Sequence, residues 1–477
     1  MESMSISSSS SSLQSRLFLT RTRTRTRSRR SISAVPPLSL PIRRRRSFST
    51  LALHRSDHDV VVVGAGIIGL TIARHLLLNS HLSVALTDAK LPCSGATGAG
   101  QGYIWLAHKT PGTDTWHLAL RSKHLWEELA ADLETQGSDP GEVLGWKKTG
   151  SLLIGRSSEE QAVLQERVNL LSDAGLRAQY LPSHLLHLEE PELDVGSEGA
   201  AAFILDDCQL DAYQTVSFIQ KVNNTFCLKG RYAEFFNDPA VCFLRSEKTG
   251  AVEAVQTSNR TLYARKAVVV ASGAWTGTLL PNLVKPNCVV EIPVRPRKGH
   301  LLVLENFRNI RLNHSLMEVG YVGHQNTTTL GGVDLETTGD DQELTSISMT
   351  ATLDVRGNLV LGSSRQFCGF SREVDESIIE CIWNRAAEFF PALKLTSLDS
   401  SLNKQIRIGH RPYMPDGKPV IGPIPDMPNV FLATGHEGSG LSLALATAEM
   451  VSDMILGNPT KVDPVPLSIH GRFSCNL

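Results

Sequence analysis

The stretch "GAGIIG" places Gly64, Gly66 and Gly69 at GxGxxG spacing, with Ile67 and Ile68 between the last two. The first glycine permits a tight turn, the second lets backbone approach a pyrophosphate, and the third allows a helix to pack on a strand. The helix start that follows would direct its amide N–H groups at the phosphates. Asp88 lies nineteen residues after Gly69, at the end of a second short apolar run, where a carboxylate can accept from a ribose hydroxyl. Turn, helix and acid in this order predict a dinucleotide site, although the motif alone does not separate NAD from FAD.

A second cluster lies late in the chain. In "IGHRPYMPDGKPVIGP" (408–423), Arg411 is surrounded by four prolines and three glycines, a composition incompatible with a long helix or a central strand. An arginine fixed there offers a planar fork suited to a carboxylate, and it stays charged in a poorly hydrated pocket. Two further glycine turns follow apolar runs: Gly273 in "VVVASGAWT", and Gly435, Gly438 and Gly440 in "FLATGHEGSG". A turn of this kind beside a helix start can sit close to a flavin carbonyl where charge develops on reduction. His436 could polarise a flavin or hold the turn, His300 reads as structural, and Tyr413 is a candidate for the pocket wall. No Ser-His-Asp set, metal-ligand cluster or P-loop is evident, so no metal is expected.

These residues need elements to hold them. "DHDVVVVGAGIIGLTIARHLLLNSHLSVALTDAK" reads as a βαβ unit. Helices are predicted over 113–134 (with Trp116, Leu120, His124 and Leu125 on one face), 157–175, 209–224 and 375–390. Strands are predicted over 146–155, 288–304 and 351–363. Residues 261–276 begin with alternation and become wholly apolar, the pattern of a buried parallel strand. A polar, Thr-rich segment (325–348) reads as a loop, and 429–457 as strand, glycine turn and long helix. Nucleotide-type strands at both ends and in the middle imply a chain that leaves one α/β domain, builds a second, and returns.

Composition narrows the function classes. Of 477 residues, 41% are hydrophobic and 20% charged, ordinary for a globular chain. No uninterrupted apolar run is long enough for a membrane span. Residues 1–50 hold eleven arginines, no lysine and one acid, with a serine tract at 7–12. That composition predicts an organelle transit peptide, with the chloroplast favoured over the mitochondrion. The remaining chain carries 36 basic and 47 acidic residues, a net charge of −11, which argues against nucleic acid as a partner. Eight scattered cysteines without a CxxC pair predict reduced, mostly buried thiols.

The sequence resembles the glycine oxidase and D-amino-acid oxidase/dehydrogenase superfamily of FAD enzymes. Six segments carry the resemblance in order: "VVVGAGIIG", "SGATGAGQGY", "VVVASGAWT", "PVRPRKGHLLVLE", "LVLGSSRQ" and "GHRPYMPDGKPVIGP…NVFLATGHEGSGLSLA". It implies a discontinuous Rossmann-like FAD-binding domain (57–110, 200–280 and 405–460) and an α+β substrate domain on a mixed or antiparallel sheet (111–199 and 281–404). A C-terminal tail (461–477) follows. Ala99, Gly100 and Gln101 match the loop that passes the flavin ring. Gly409 stands where some members carry a flavin-linking cysteine, so FAD is expected to be non-covalent. Arg411 matches the arginine that binds substrate carboxylate.

The resemblance also implies a departure. Several members carry a second carboxylate-binding arginine just before the "GxLVLG" strand, where this chain has Leu353 and Asp354; Arg356 is shifted and Arg365 lies beyond the strand. The implied reaction is oxidation of a C–N bond beside a carboxylate in a small amine or amino acid, with oxygen or an electron carrier as final acceptor. Two alternatives within the superfamily are demodification of a larger amine substrate and a flavin-binding assembly factor without turnover.

Overall fold

The computed structural model describes residues 54–284, 291–321, 345–398, 403–425 and 427–472. The arginine-rich segment read as a transit peptide and most of the loop expected at 325–348 lie outside these residues.

Two eight-stranded sheets organise the fold. In the first, His54–Val63 lies between Val84–Thr87 and Arg260–Val270, and Met427–Thr434 flanks Arg260–Val270. All these pairings are parallel. Such strands are covered on both faces, which is why Val60–Val63 and Ala267–Val270 are continuous apolar runs, all buried. Three adjacent parallel strands therefore end at one sheet edge, and each is followed by a glycine turn, at Gly64, Gly273 and Gly435. That edge is where α/β sheets of this type bind ligands.

Helix Ile67–Asn79 packs against Gly440–Leu456, and Thr71 Oγ1 donates to the Ala444 carbonyl at 3.4 Å. Helix Trp116–Thr135 joins the same layer: Trp126 Nε1 donates to the Leu441 carbonyl at 3.1 Å, and Arg121 forks onto Glu449. Its buried face runs through Trp116, Ala119, Lys123, Trp126, Ala130 and Leu133. The sequence pattern had put His124 and Leu125 on that face; His124 is exposed, because the stripe turns with the helix and follows the small residues that meet Gly440–Leu456. One helical stretch, Glu437–Leu456, is long and apolar enough to cross a membrane, but 83% of it is buried inside the fold, as a core helix would be.

The second sheet runs Lys404–Tyr413, Arg295–Leu304, Leu359–Arg365, Ser346–Leu353, Ser315–Glu318, Ser151–Gly155, Ala200–Ile204, Ala178–Pro182. It is mixed, with a single parallel pairing between Ser315–Glu318 and Ser151–Gly155. Helix Glu376–Ala387 covers one face, burying Ile379, Ile382 and Trp383 against Leu302, Leu316, Met349 and Leu361. Because side chains alternate along a strand, Arg297, Gly299, Leu301 and Val303 point to the opposite face, toward the first sheet.

Three boundaries differ from the sequence reading. Ala200–Ile204 pairs with Ser151–Gly155 and belongs to the second sheet, not to the dinucleotide domain. The run 351–363 is two strands around a turn, in which the Asp354 carboxylate accepts from the amides of Arg356 and Asn358. Residues 408–413 end a ten-residue strand of the second sheet, so the chain returns to the first sheet only after Tyr413. Proline is tolerated there because this is the edge strand, with its free side open.

Candidate active site

A cavity of about 510 Å³ runs between the two sheets. One end is made of backbone: Gly64, Ala65, Gly66, Ile67 and Ile68 at the first turn, with Asp88 opposite. Gly64 has φ +119°, and a Cβ there would come within 2.7 Å of the Ala271 carbonyl carbon. Gly69 does not line the cavity; a Cβ on it would overlap the Gly64 carbonyl, so its role is the close helix–strand contact.

Asp88 Oδ2 accepts from the Ala65 amide at 2.6 Å and Oδ1 from the Lys90 amide at 2.7 Å. Burial pushes this carboxyl up, and the two backbone donors oppose the shift. Each oxygen keeps a further lone pair for a hydroxyl donor. Gly273, His436, Gly438 and Gly440 line the middle of the cavity. Gly435 does not; it occupies φ +77° against Met414. His436 is buried, its pKa is held down to about 3 by burial, and Nε2 meets Thr447 Oγ1 at 3.0 Å, so it is neutral and structural. His300 faces away from the cavity, against Ser364 Oγ, and is also neutral near pH 7.

Ala99, Gly100 and Gln101 cross between the two ends, and Gln101 Oε1 accepts from Thr350 Oγ1 at 3.0 Å. A Cβ on Gly409 would meet the Ala99 Cβ at 2.8 Å, leaving no room for a linking side chain. Cys93 also lines the cavity, but burial raises its thiol to about 12, so it is no nucleophile. The geometry fits a non-covalent dinucleotide, with Gly64, Gly66 and Asp88 at its pyrophosphate and ribose end.

The far end is built from side chains. Arg411 pairs in register with Arg297 across the edge ladder, and both project from the sheet face that looks into the cavity. Arg411 Nη1 donates to the Ser364 carbonyl at 2.9 Å, which aims the fork. Gly299 makes room for it, since a Cβ there would lie 2.7 Å from Arg411 Cζ. Arg297 donates to the Glu437 carboxylate through Nε at 2.9 Å and through Nη2. Burial pushes the Glu437 carboxyl up, but Arg297, Arg411 and Arg365 together hold it below the usual range, so it is ionised. Burial lowers the Arg411 pKa, and Glu437 partly restores it. Among the described residues no carboxylate lies within ion-pair distance of Arg411.

Tyr413 lies outside the cavity; its ring packs edge-on to Phe367 and beneath Arg297. The sequence reading missed Tyr321, Met317, Thr350, Ser363 and Glu437, all of which line this end. Met317 and Thr350 come from strands with no motif, whereas Ser363 lies inside "LVLGSSRQ" and Glu437 inside "TGHEG", an acid amid glycines with φ +47°. Behind them, Lys109 Nζ meets Ser439 Oγ, and burial lowers its ammonium to about 8.

The family model for "DAO: FAD dependent oxidoreductase" matches residues 59–454. The chain belongs to this family. It is an FAD-dependent oxidoreductase, which settles between the two dinucleotides left open by the glycine motif. Glycine oxidase of Geobacillus kaustophilus is 25% identical over 416 residues, covering 86% of this chain and 96% of that protein. The crystal structure of that species' glycine oxidase superposes with a TM-score of 0.71 at 22% identity, over 88% of this chain and all of the other. L-proline dehydrogenase from P. horikoshii gives 0.70 at 19% identity, over 87% and 97%. This family member therefore joins a dinucleotide cradle of glycine turns to a pocket of cationic side chains.

Proposed function

We propose that this FAD enzyme oxidises the C–N bond of an amino acid or a related amine carboxylate. One observation carries the reading: Arg411 is a desolvated guanidinium on the cavity wall, aimed by the Ser364 carbonyl and without an ion-pair partner among the described residues. Leaving such a cation unpaired costs several kcal/mol, on the order of 3–5, which a substrate carboxylate would recover. The names of the relatives point the same way, since glycine and L-proline both join an amine to a carboxylate through one carbon.

Bound FAD supplies the two-electron acceptor for the hydrogen on that carbon. Arg411 would take the carboxylate bidentately, fixing the neighbouring C–H and amine in one orientation. Among the described residues, three candidate bases are already engaged: Glu437 is held by Arg297, His436 by Thr447, and His410 Nε2 by the Ser371 carbonyl. The substrate would therefore react as the free amine, losing hydride to give an iminium ion that water hydrolyses to the oxo acid and ammonia or a free amine. The acid-rich body disfavours demodification of a nucleic acid. The composition of residues 1–50 supports import into a chloroplast, which a fluorescent fusion would test.

The test is anaerobic addition of a panel of amino acids and amines to the yellow enzyme. At least one amine carboxylate should bleach the flavin absorbance, while the matching amine without a carboxylate should not. Bleaching by simple amines alone would refute the reading.

A further inference from the structure

The cationic end of the cavity holds more positive charge than one carboxylate satisfies. Arg297 is neutralised by Glu437. Arg411 awaits the α-carboxylate on the reading above. Arg365 remains. It is the last residue of Leu359–Arg365 and 4% exposed, and no carboxylate among the described residues pairs with it.

Register explains how it reaches this site. Gly362 pairs with Leu301, so strict alternation would pair residue 365 with Lys298, on the face turned away from the cavity. Lys298 instead bridges to Gln366. The one-residue slip turns Arg365 to the cavity face. There its Cζ lies 4.1 Å over the ring of Tyr321, a cavity-lining residue. The residue before it, Ser364, supplies the carbonyl that Arg411 grips, and the Arg365 charge acts on both Arg411 and Glu437. Among the described residues, Nη1 has two long contacts, to Ser346 and Ser348 hydroxyls at 3.4 and 3.3 Å, and Nη2 is buried without a partner.

We infer that the substrate carries a second anionic group and that Arg365 is its counter-ion, so that the preferred ligands are amino or imino dicarboxylates. The inference rests on the proposed role of Arg411. A buried guanidinium with an unused donor is costly, and Arg411 on the cavity wall with Arg365 packed against the wall residue Tyr321 match a ligand with two acids. The amine-bearing carbon then lies between two charged anchors, which fixes its orientation more tightly than one.

The test titrates the FAD-bound enzyme with inert acids, reading the shift in flavin absorbance: malonate, succinate and glutarate against acetate, propionate and butyrate. The best dicarboxylate should bind about 10- to 100-fold tighter than its matched monocarboxylate, the range for one charge-assisted hydrogen bond in a desolvated site. Arg365→Met should reduce that ratio to near one, weakening dicarboxylates far more than monocarboxylates, while Arg365→Lys should keep part of it. A wild-type ratio near one would overturn the inference, as would an equal loss for both acid classes in Arg365→Met, the pattern of a residue that only steadies Tyr321. If Arg365→Met does not fold, the wild-type ratio and the Lys variant decide. The reading of C–N oxidation is tested separately: bleaching by monocarboxylic amino acids without dicarboxylate preference keeps that reading and removes Arg365 from it. Tight dicarboxylate binding without bleaching by any amine does the reverse.

Discussion

The two ends of the cavity are built from different material. The cofactor end is backbone: glycine turns at the edge of a parallel sheet, with one half-buried carboxylate whose oxygens are already oriented by main-chain amides. The substrate end is side chain: the Arg411 guanidinium, a glutamate from a turn and a tyrosine, backed by Arg297 and Arg365 on the two neighbouring strands. Backbone shape suits the cofactor that the family model names, and side-chain charge, carried on strands of the second sheet, suits the substrate.

That contrast can be broken most severely at Gly69. Gly69→Val drives a side chain into the Gly64 carbonyl, where no flexible group can yield. We expect a loss above about 4 kcal/mol of stability, read as little soluble protein and little bound flavin. Gly299→Ala makes the opposite comparison. Its new methyl meets only the far end of Arg411, which can swing away. The melting temperature and FAD content should hold while KM for a carboxylate substrate rises about tenfold, as expected when a positioning contact shifts by an ångström. A large drop in FAD content instead would mean that the two ends are not separable. Asp88→Asn should weaken FAD binding by a few-fold, about 1 kcal/mol for one altered hydrogen bond, with turnover per bound flavin unchanged in a reconstitution assay.

The smallest effect is a pH dependence at Lys109. With its pKa lowered to about 8, this group is an ammonium below that pH and neutral above it. Binding of an inert carboxylate such as benzoate should weaken a few-fold as pH rises through 8, and the step should vanish in Lys109→Met. A step that persists in the variant would assign the titration elsewhere.

The same division explains what was legible in the sequence. The βαβ unit, the apolar parallel strands and the glycine turns are local patterns, because each follows from sterics within a few residues. The capping of helix Ser158–Asp173 by Ser157 and Glu160 was readable in the same way. Arg411 was legible because prolines and glycines marked it. Arg365 was visible only as a charge beyond a strand; its arrival beside Arg411 depends on a slip in pairing with Arg295–Leu304, some sixty residues earlier in the chain. Ala200–Ile204 was assigned to the first sheet because an apolar strand does not name its partner, and the partner here is fifty residues away. The position expected to hold a second arginine proved to be a turn, with Arg356 exposed on it and Asp354 bound to its amides.

The most direct test of the central claim is anaerobic flavin reduction followed side by side in wild type and Arg411→Met, with the amino acid that best bleaches the wild type. Both proteins should carry equal FAD, since Arg411 makes no part of the glycine cradle. Wild-type flavin should bleach, and the second-order rate in the variant should fall about 100- to 1,000-fold, the effect of removing one partner of a desolvated charge pair. Equal rates in the two proteins, at equal FAD content, would contradict the account.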